Sequence, residues 1–146
     1  MNQSIASESG PLQTVHRLPE AINNHDLDAL VACFSADYVN ETPAHPHRGF
    51  TGQEQVRTNW ARMFATIPDL NGELLATVVD GDRVWSEWRM TGTRPDGSAH
   101  EMAGVMIFTV RDAEISAVRF FLEPVERLSG TVDDAVRRQL AGVEQP

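Results

Sequence analysis

The sequence has little of what several classes of protein require. It contains one cysteine among 146 residues, which excludes an intramolecular disulfide. It has no run of about 18 apolar residues, so we expect no transmembrane helix. Its N-terminus lacks the basic segment followed by an apolar one that marks a secretory signal. These absences favour a cytoplasmic protein.

Basic residues are also scarce. Twelve Lys and Arg stand against 21 Asp and Glu, which gives a net charge of −9. Nucleic acids and anionic membranes are bound by clustered basic side chains, so we expect neither as a partner. Hydrophobic residues, by contrast, make up 41% of the chain. That content is sufficient for one domain with a full hydrophobic core.

The first half of the chain predicts three helices. Apolar residues at helical spacing span residues 12–22, where Pro19 marks either a kink or the start of the helix. A second apolar stripe spans residues 26–34. Thr51 and Glu54 match a capping box, which predicts that a third helix begins there.

The second half predicts a β meander. Four runs rich in Val, Ile, Thr and Phe are separated by short turns that carry Gly or charged residues. The runs cover residues 70–79, 84–93, 99–110 and 115–123. Together with a short strand at 38–42, they predict a twisted antiparallel sheet whose concave face is covered by the helices. We therefore expect an α+β fold.

The order of these elements and three segments resemble the nuclear transport factor 2-like superfamily. The segments are NNHDLDALVACFSADYV, GFTGQEQVRTNW and FTVRDAEISAVRFFLEP. Within the superfamily the chain resembles the SnoaL-like, polyketide cyclase-like proteins. The resemblance implies a cone-shaped, curved antiparallel sheet of four long strands and one short strand, packed on three N-terminal helices. It divides the chain into a flexible tail at 1–10, the SnoaL-like domain at 11–126, and a C-terminal tail at 127–146 with a short helix.

The resemblance also implies a pocket for a hydrophobic small molecule and cofactor-free acid–base chemistry on a bulky apolar substrate. Cyclisation, isomerisation and dehydration are the reaction types expected. A non-catalytic hydrophobic ligand-binding protein and a dimeric interaction module are the alternatives, because the fold itself does not specify a function. The isomerase-like base position holds Thr42, and Trp88 and Met90 stand where an epoxide hydrolase needs charged residues. We therefore do not expect either of those mechanisms.

The candidate acids and bases are Glu41, Glu123 and His100. A carboxyl group in an apolar pocket has a raised pKa, which suits it to proton transfer near neutral pH. Alternatively, the two acids pair with Arg119 or Arg48 at the surface, and His100 is exposed to solvent. The residues expected to bind the substrate are Trp88, Met90, Met102, Met106, Phe121, Trp60, Phe64 and Val39.

Three further expectations concern metals, thiols and assembly. His45 and His47, with Glu41 upstream, are residue types that bind metals, but such a pair in a loop is commoner without one, so we expect no metal and no cofactor. Cys33 lies among apolar residues and is expected to be a buried, unreactive thiol. We expect a homodimer formed through the outer face of the sheet.

Overall fold

The computed structural model describes residues 10–142. The flexible tail predicted at the N-terminus lies outside this part of the chain, except for its last residue. None of the helices in residues 10–142 is both long enough and apolar enough to cross a membrane.

The described part contains four α-helices. They are α1 (Pro11–Asn23), α2 (Leu27–Val31), α3 (Gln53–Thr66) and α4 (Val132–Leu140). Proline at the first helical position of α1 lacks only an N–H that would be unpaired there in any case. The helix continues through Pro19, which neither starts nor ends it. The predicted start of α2 is confirmed, because the Asp26 carboxylate accepts a hydrogen bond from Ala29 N at 3.1 Å.

Two predicted helix boundaries are wrong. The second helix ends at Val31, and Phe34 begins a strand because it pairs with Ile115 of a distant strand. The capping box at Thr51 does not form. Thr51 belongs to a strand that pairs with Val39, and Gly52, with φ of 99°, stands at the start of α3 without a side-chain cap.

A single six-stranded sheet forms the other layer. Its strands are β1 (Phe34–Glu41), β2 (Phe50–Thr51), β3 (Asn71–Asp80), β4 (Arg83–Thr93), β5 (Ala99–Arg111) and β6 (Glu114–Pro124). The spatial order is β2-β1-β6-β5-β4-β3. Strands β3 to β6 form the predicted antiparallel meander, and β1 lies parallel beside β6. The sheet is curved and does not close, which confirms the α+β cone.

The two faces of the sheet differ sharply in burial. Side chains of β4 alternate between exposed and buried, so Trp88 is fully buried whereas Trp85 is 45% exposed. The inner face packs with α1 into one hydrophobic core that includes Val15, Ile22 and Phe108. The space between the helices and this inner face is where a small molecule can bind.

Candidate functional site

A cavity of about 240 Å³ lies between the helices and the inner face of the sheet. Its walls are mostly apolar. Five of the residues expected to bind substrate line it: Trp60, Trp88, Met90, Met102 and Met106. Aromatic rings from α3 and from five strands contribute to these walls. Concave apolar sites with a few polar groups are the usual form of small-molecule sites in proteins.

A row of polar side chains on β1 and on the residue that follows it crosses one wall of the cavity. Tyr38, Asn40 and Thr42 all line it. The Thr42 hydroxyl donates to Asn40 Oδ1 at 3.0 Å, and Asn40 Nδ2 donates to the Tyr38 hydroxyl oxygen at 3.2 Å. The Tyr38 proton has no acceptor among residues 10–142. Burial raises the pKa of Tyr38, so its hydroxyl stays neutral and can donate a hydrogen bond to a ligand oxygen.

Trp88 contributes an apolar surface and no free donor. Its Nε1 donates to the Ser86 hydroxyl oxygen at 2.8 Å, and that hydroxyl donates to the carbonyl oxygen of Met106 at 2.6 Å. The buried polar groups of Ser86 and Trp88 are therefore satisfied within the protein.

His100 lines the cavity from the beginning of β5 and is half-buried. Burial, and secondarily the positive charge of Arg94, lower the pKa of His100. The imidazole is therefore neutral at pH 7, and one ring nitrogen is available as a base. Within the described part of the chain, neither nitrogen has a hydrogen-bond partner.

The two predicted acids do not face the cavity. Glu41 is 60% exposed, and its Oε1 lies 3.0 Å from Arg119 Nη1. Glu123 Oε1 lies 3.1 Å from His45 Nε2, and its Oε2 is buried without a partner among the described residues. Neither acid lines the cavity. Glu41 and Glu123 therefore do not meet across this cavity, and the surface pairing of Glu41 with Arg119 is the alternative that the sequence left open.

Three residues that we expected to bind substrate also lie outside the cavity lining. Val39 is 44% exposed. Phe121 lies under the guanidinium of Arg119, with 5.9 Å between the Arg119 Cζ and the ring centroid. Phe64 stacks on His25, with ring centroids 4.6 Å apart.

Most of the differences between the predicted site residues and those that line the cavity have one cause. Successive side chains of a strand point to opposite faces, so an error of one position reverses every assignment on that strand. Val39 and Glu41 share one face of β1, whereas Tyr38 and Asn40 share the other. The missed residues could have been found by counting every second residue from the aromatic Tyr38.

The remaining candidates are the possible metal ligands and the thiol of Cys33. His45 contacts Glu123 rather than Glu41, and no group of three His, Cys, Asp or Glu within residues 10–142 is arranged to hold a metal ion. Cys33 is buried as expected, and burial raises the pKa of its thiol.

Comparisons with known proteins agree with this fold. The model of the SnoaL-like domain family matches residues 15–118. No curated protein matches the chain significantly.

Solved structures share the fold. IdmH from Streptomyces antibioticus, a proposed polyketide cyclase, is 25% identical, with 77% of this chain and 91% of IdmH covered and a TM-score of 0.66. A Catenulispora acidiphila protein with a ketosteroid isomerase-like fold is 24% identical, with 74% and 84% covered and a TM-score of 0.61. An LEH-like epoxide hydrolase from M. tuberculosis is 19% identical, with 77% and 82% covered and a TM-score of 0.67. The last two likenesses show the fold alone.

Proposed function

This chain belongs to the SnoaL-like domain family, and on that premise we propose that its cavity is the active site of a cofactor-free enzyme acting on a bulky apolar small molecule. The enzyme transfers a proton in a cyclisation, isomerisation or dehydration. One observation supports this most strongly: a neutral imidazole, His100, and a phenol with an uncommitted proton, Tyr38, line the same apolar cavity.

The proposed chemistry begins with His100 as general base. A neutral ring nitrogen removes a proton from a carbon next to a substrate carbonyl, and the electron pair of the broken C–H bond moves onto the carbonyl oxygen. The Tyr38 hydroxyl donates a hydrogen bond to that oxygen as negative charge develops on it. In each of the three reaction types the carbonyl then re-forms and the electron pair returns to carbon. In an isomerisation, another carbon takes the proton from the imidazolium. In a cyclisation, the enolate carbon bonds to a second carbonyl carbon of the substrate, and the alkoxide formed from that C=O takes the proton. In a dehydration, the C–O bond to a hydroxyl breaks as a C=C bond forms, and the hydroxyl leaves as water with the proton.

The row of polar side chains along β1 and just after it positions the donor. Asn40 holds the Tyr38 oxygen, and Thr42 holds the Asn40 amide, so the phenol is oriented before a ligand arrives. The apolar walls exclude water, which strengthens a hydrogen bond to a charged oxygen. This arrangement suits an enolate-like intermediate.

Deuterium exchange tests the proposal without knowledge of the natural substrate. The probe is 2-tetralone, a bicyclic ketone with acidic protons next to its carbonyl. We expect the wild-type protein to accelerate the incorporation of deuterium from D₂O at the carbon next to the carbonyl. The rate, measured by proton NMR, should saturate as the ketone concentration is raised. The binding constant from calorimetry should agree with the half-saturation concentration. A ketone that binds without accelerated exchange would remove the enzymatic proposal and leave the binding one.

A non-catalytic binder of hydrophobic small molecules is the second candidate. It is favoured by the fact that His100 has no hydrogen-bond partner within the described chain, whereas catalytic bases are commonly oriented by a third group. The same exchange experiment separates the two candidates, because a binder holds the ketone and does not exchange it.

We also propose a homodimer through the outer face of the sheet. Val78 on β3 and Trp85 on β4 are register partners there and are 66% and 45% exposed, and Trp85 also pairs with Ile107 on β5, which is buried. A tryptophan surrounded by aliphatic side chains is typical of the centre of a protein interface.

Replacing Trp85 by Glu should weaken dimerisation by more than about tenfold, because a charge would be buried at the centre of the interface. Sedimentation equilibrium measures the effect. Val132→Glu changes an exposed apolar residue of α4 and serves as the matched control. Equal dimerisation of the wild type and Trp85→Glu, or a monomeric wild type, would overturn the proposal.

A further inference from the structure

The charge of the cavity walls is opposite in sign to the net charge of the chain. The sequence has 21 acidic residues against 12 basic ones, yet no Asp or Glu within residues 10–142 lines the cavity. Arg48 does line it. Because His100 is neutral at pH 7, Arg48 supplies the formal charge of the wall there. A cationic ligand would find no counter-charge in such a cavity.

The Arg48 guanidinium has no ion pair or hydrogen bond within the described chain, although acids lie nearby in sequence and structure. Glu41 is paired with Arg119 at 3.0 Å, and Glu123 is bonded to His45 at 3.1 Å. Glu41 is therefore already paired with another cation, and one oxygen of Glu123 is held by a histidine. Arg48 is also exposed to solvent, so it lies where the cavity opens.

The loop that carries Arg48 is held in place. Arg48 N donates to the carbonyl oxygen of His45 at 2.9 Å, and Gly49 N donates to that of Pro46 at 3.2 Å, which closes a single 3₁₀ turn. The contact between His45 and Glu123 ties this turn to β6, 78 residues away. The backbone of Arg48 is thus ordered before a ligand binds, which reduces the entropy lost on binding.

We infer that the ligand of this cavity is an amphipathic anion: an apolar, ring-containing body that fills the cavity, and a carboxylate that Arg48 binds at the opening. A guanidinium presents paired N–H donors whose geometry matches the two oxygens of a carboxylate. The inference rests on the proposed function in that it concerns the same cavity, but it does not depend on proton transfer by His100. Arg48 is a specificity-determining residue.

Two probes of the same shape and different charge test the inference. They are 2-naphthoate, which carries a carboxylate, and 2-naphthalenemethanol, which is neutral. Isothermal titration calorimetry measures the Kd of each for the wild type, Arg48→Gln and Arg48→Lys. Arg62→Gln is the matched control, because Arg62 is an exposed residue of α3 outside the cavity lining.

We expect Arg48→Gln to raise the Kd of 2-naphthoate about tenfold and to leave that of 2-naphthalenemethanol within twofold. Arg48→Lys should give an intermediate Kd for the anion, because it keeps the charge and loses the paired geometry. Arg62→Gln should bind both probes as the wild type does. The wild-type affinity for the anion should also fall with added salt.

Other outcomes overturn the inference in distinguishable ways. If Arg48→Gln weakens both probes equally, Arg48 has a structural role and does not recognise charge. If the anion and the alcohol bind equally well to every variant, the anion site does not exist while the cavity still binds apolar bodies. If neither probe binds the wild type, the cavity proposal itself fails. Loss of 2-tetralone exchange alone leaves the anion site intact.

Discussion

Replacing His100 by Asn should lower the rate of 2-tetralone exchange by about 100-fold or more at pH 7. Asn keeps a polar side chain at the same point of the cavity wall but has no basic nitrogen. The ketone should still bind with a Kd close to that of the wild type, because the apolar walls are unchanged. Exchange rates from NMR and Kd values from calorimetry separate the loss of a base from the loss of binding.

The matched control is His47→Asn. His47 belongs to the loop before β2 and does not line the cavity, so its replacement should leave the rate unchanged. An equal loss in both variants would point to a general disturbance. A full rate in His100→Asn would assign the proton transfer to another group.

The pH dependence of exchange follows from the lowered pKa of His100. Only the neutral imidazole acts as a base, so the rate rises with pH through this pKa and then levels off. Burial and the charge of Arg94 both disfavour the imidazolium. The pH of half-maximal rate should therefore lie below the ordinary histidine pKa of about 6.5, and the rate should be lost only at lower pH. A rate that continues to rise well above pH 7 would contradict His100 as the base.

Replacing Gly104 by Ala should destabilise the protein by about 3 kcal/mol or more. Gly104 lies within β5 at φ of 151°, which residues with a side chain rarely adopt. A Cβ at this position would overlap the carbonyl oxygen of Phe121 and would lie 2.9 Å from Leu122 Cα. Both are backbone atoms of β6, so no side-chain rotation can relieve the overlap. Urea denaturation followed by circular dichroism measures the loss.

Gly72→Ala is the control for this prediction. Gly72 also lies within a strand, β3, but at an ordinary φ, and the atoms nearest its added Cβ belong to the side chain of Ile22, at 3.3 Å or more. Its stability should stay within about 1 kcal/mol of the wild type. A comparable loss of stability in both variants would mean that the close approach of β5 to β6 at Gly104 is not its cause. Such approaches are a usual reason for glycine inside a strand.

The sequence predicts the elements of the fold well because their signals are local. The carboxylate of Asp26 and the hydroxyl of Thr131 mark the starts of helices through hydrogen bonds to amides three residues away. Turn residues between apolar runs mark the meander in the same way. The capping box at Thr51 fails because a tertiary interaction outweighs the local one: Thr51 pairs with Val39 across two strands.

The facing of β6 could not be read locally. A register shift lies between Thr109 and Val110 where β5 pairs with β6. The shift changes which alternate residues of β6 face inward, since Ile115 and Val118 are both buried, and it depends on pairing between separate segments. Two adjacent phenylalanines in β6 therefore gave no local reason to choose Phe120, which lines the cavity, over Phe121.

The sequence by itself determined the order of the elements, the likeness to the SnoaL-like family and the apolar nature of the cavity, since these depend on composition and on short-range spacing. Only the tertiary structure decided which polar groups meet in that cavity. It places Tyr38, His100 and Arg48 in the lining of one cavity and leaves Glu41 and Glu123 outside that lining. The physical reason is that each strand has two faces, and long-range pairing selects the face that is buried.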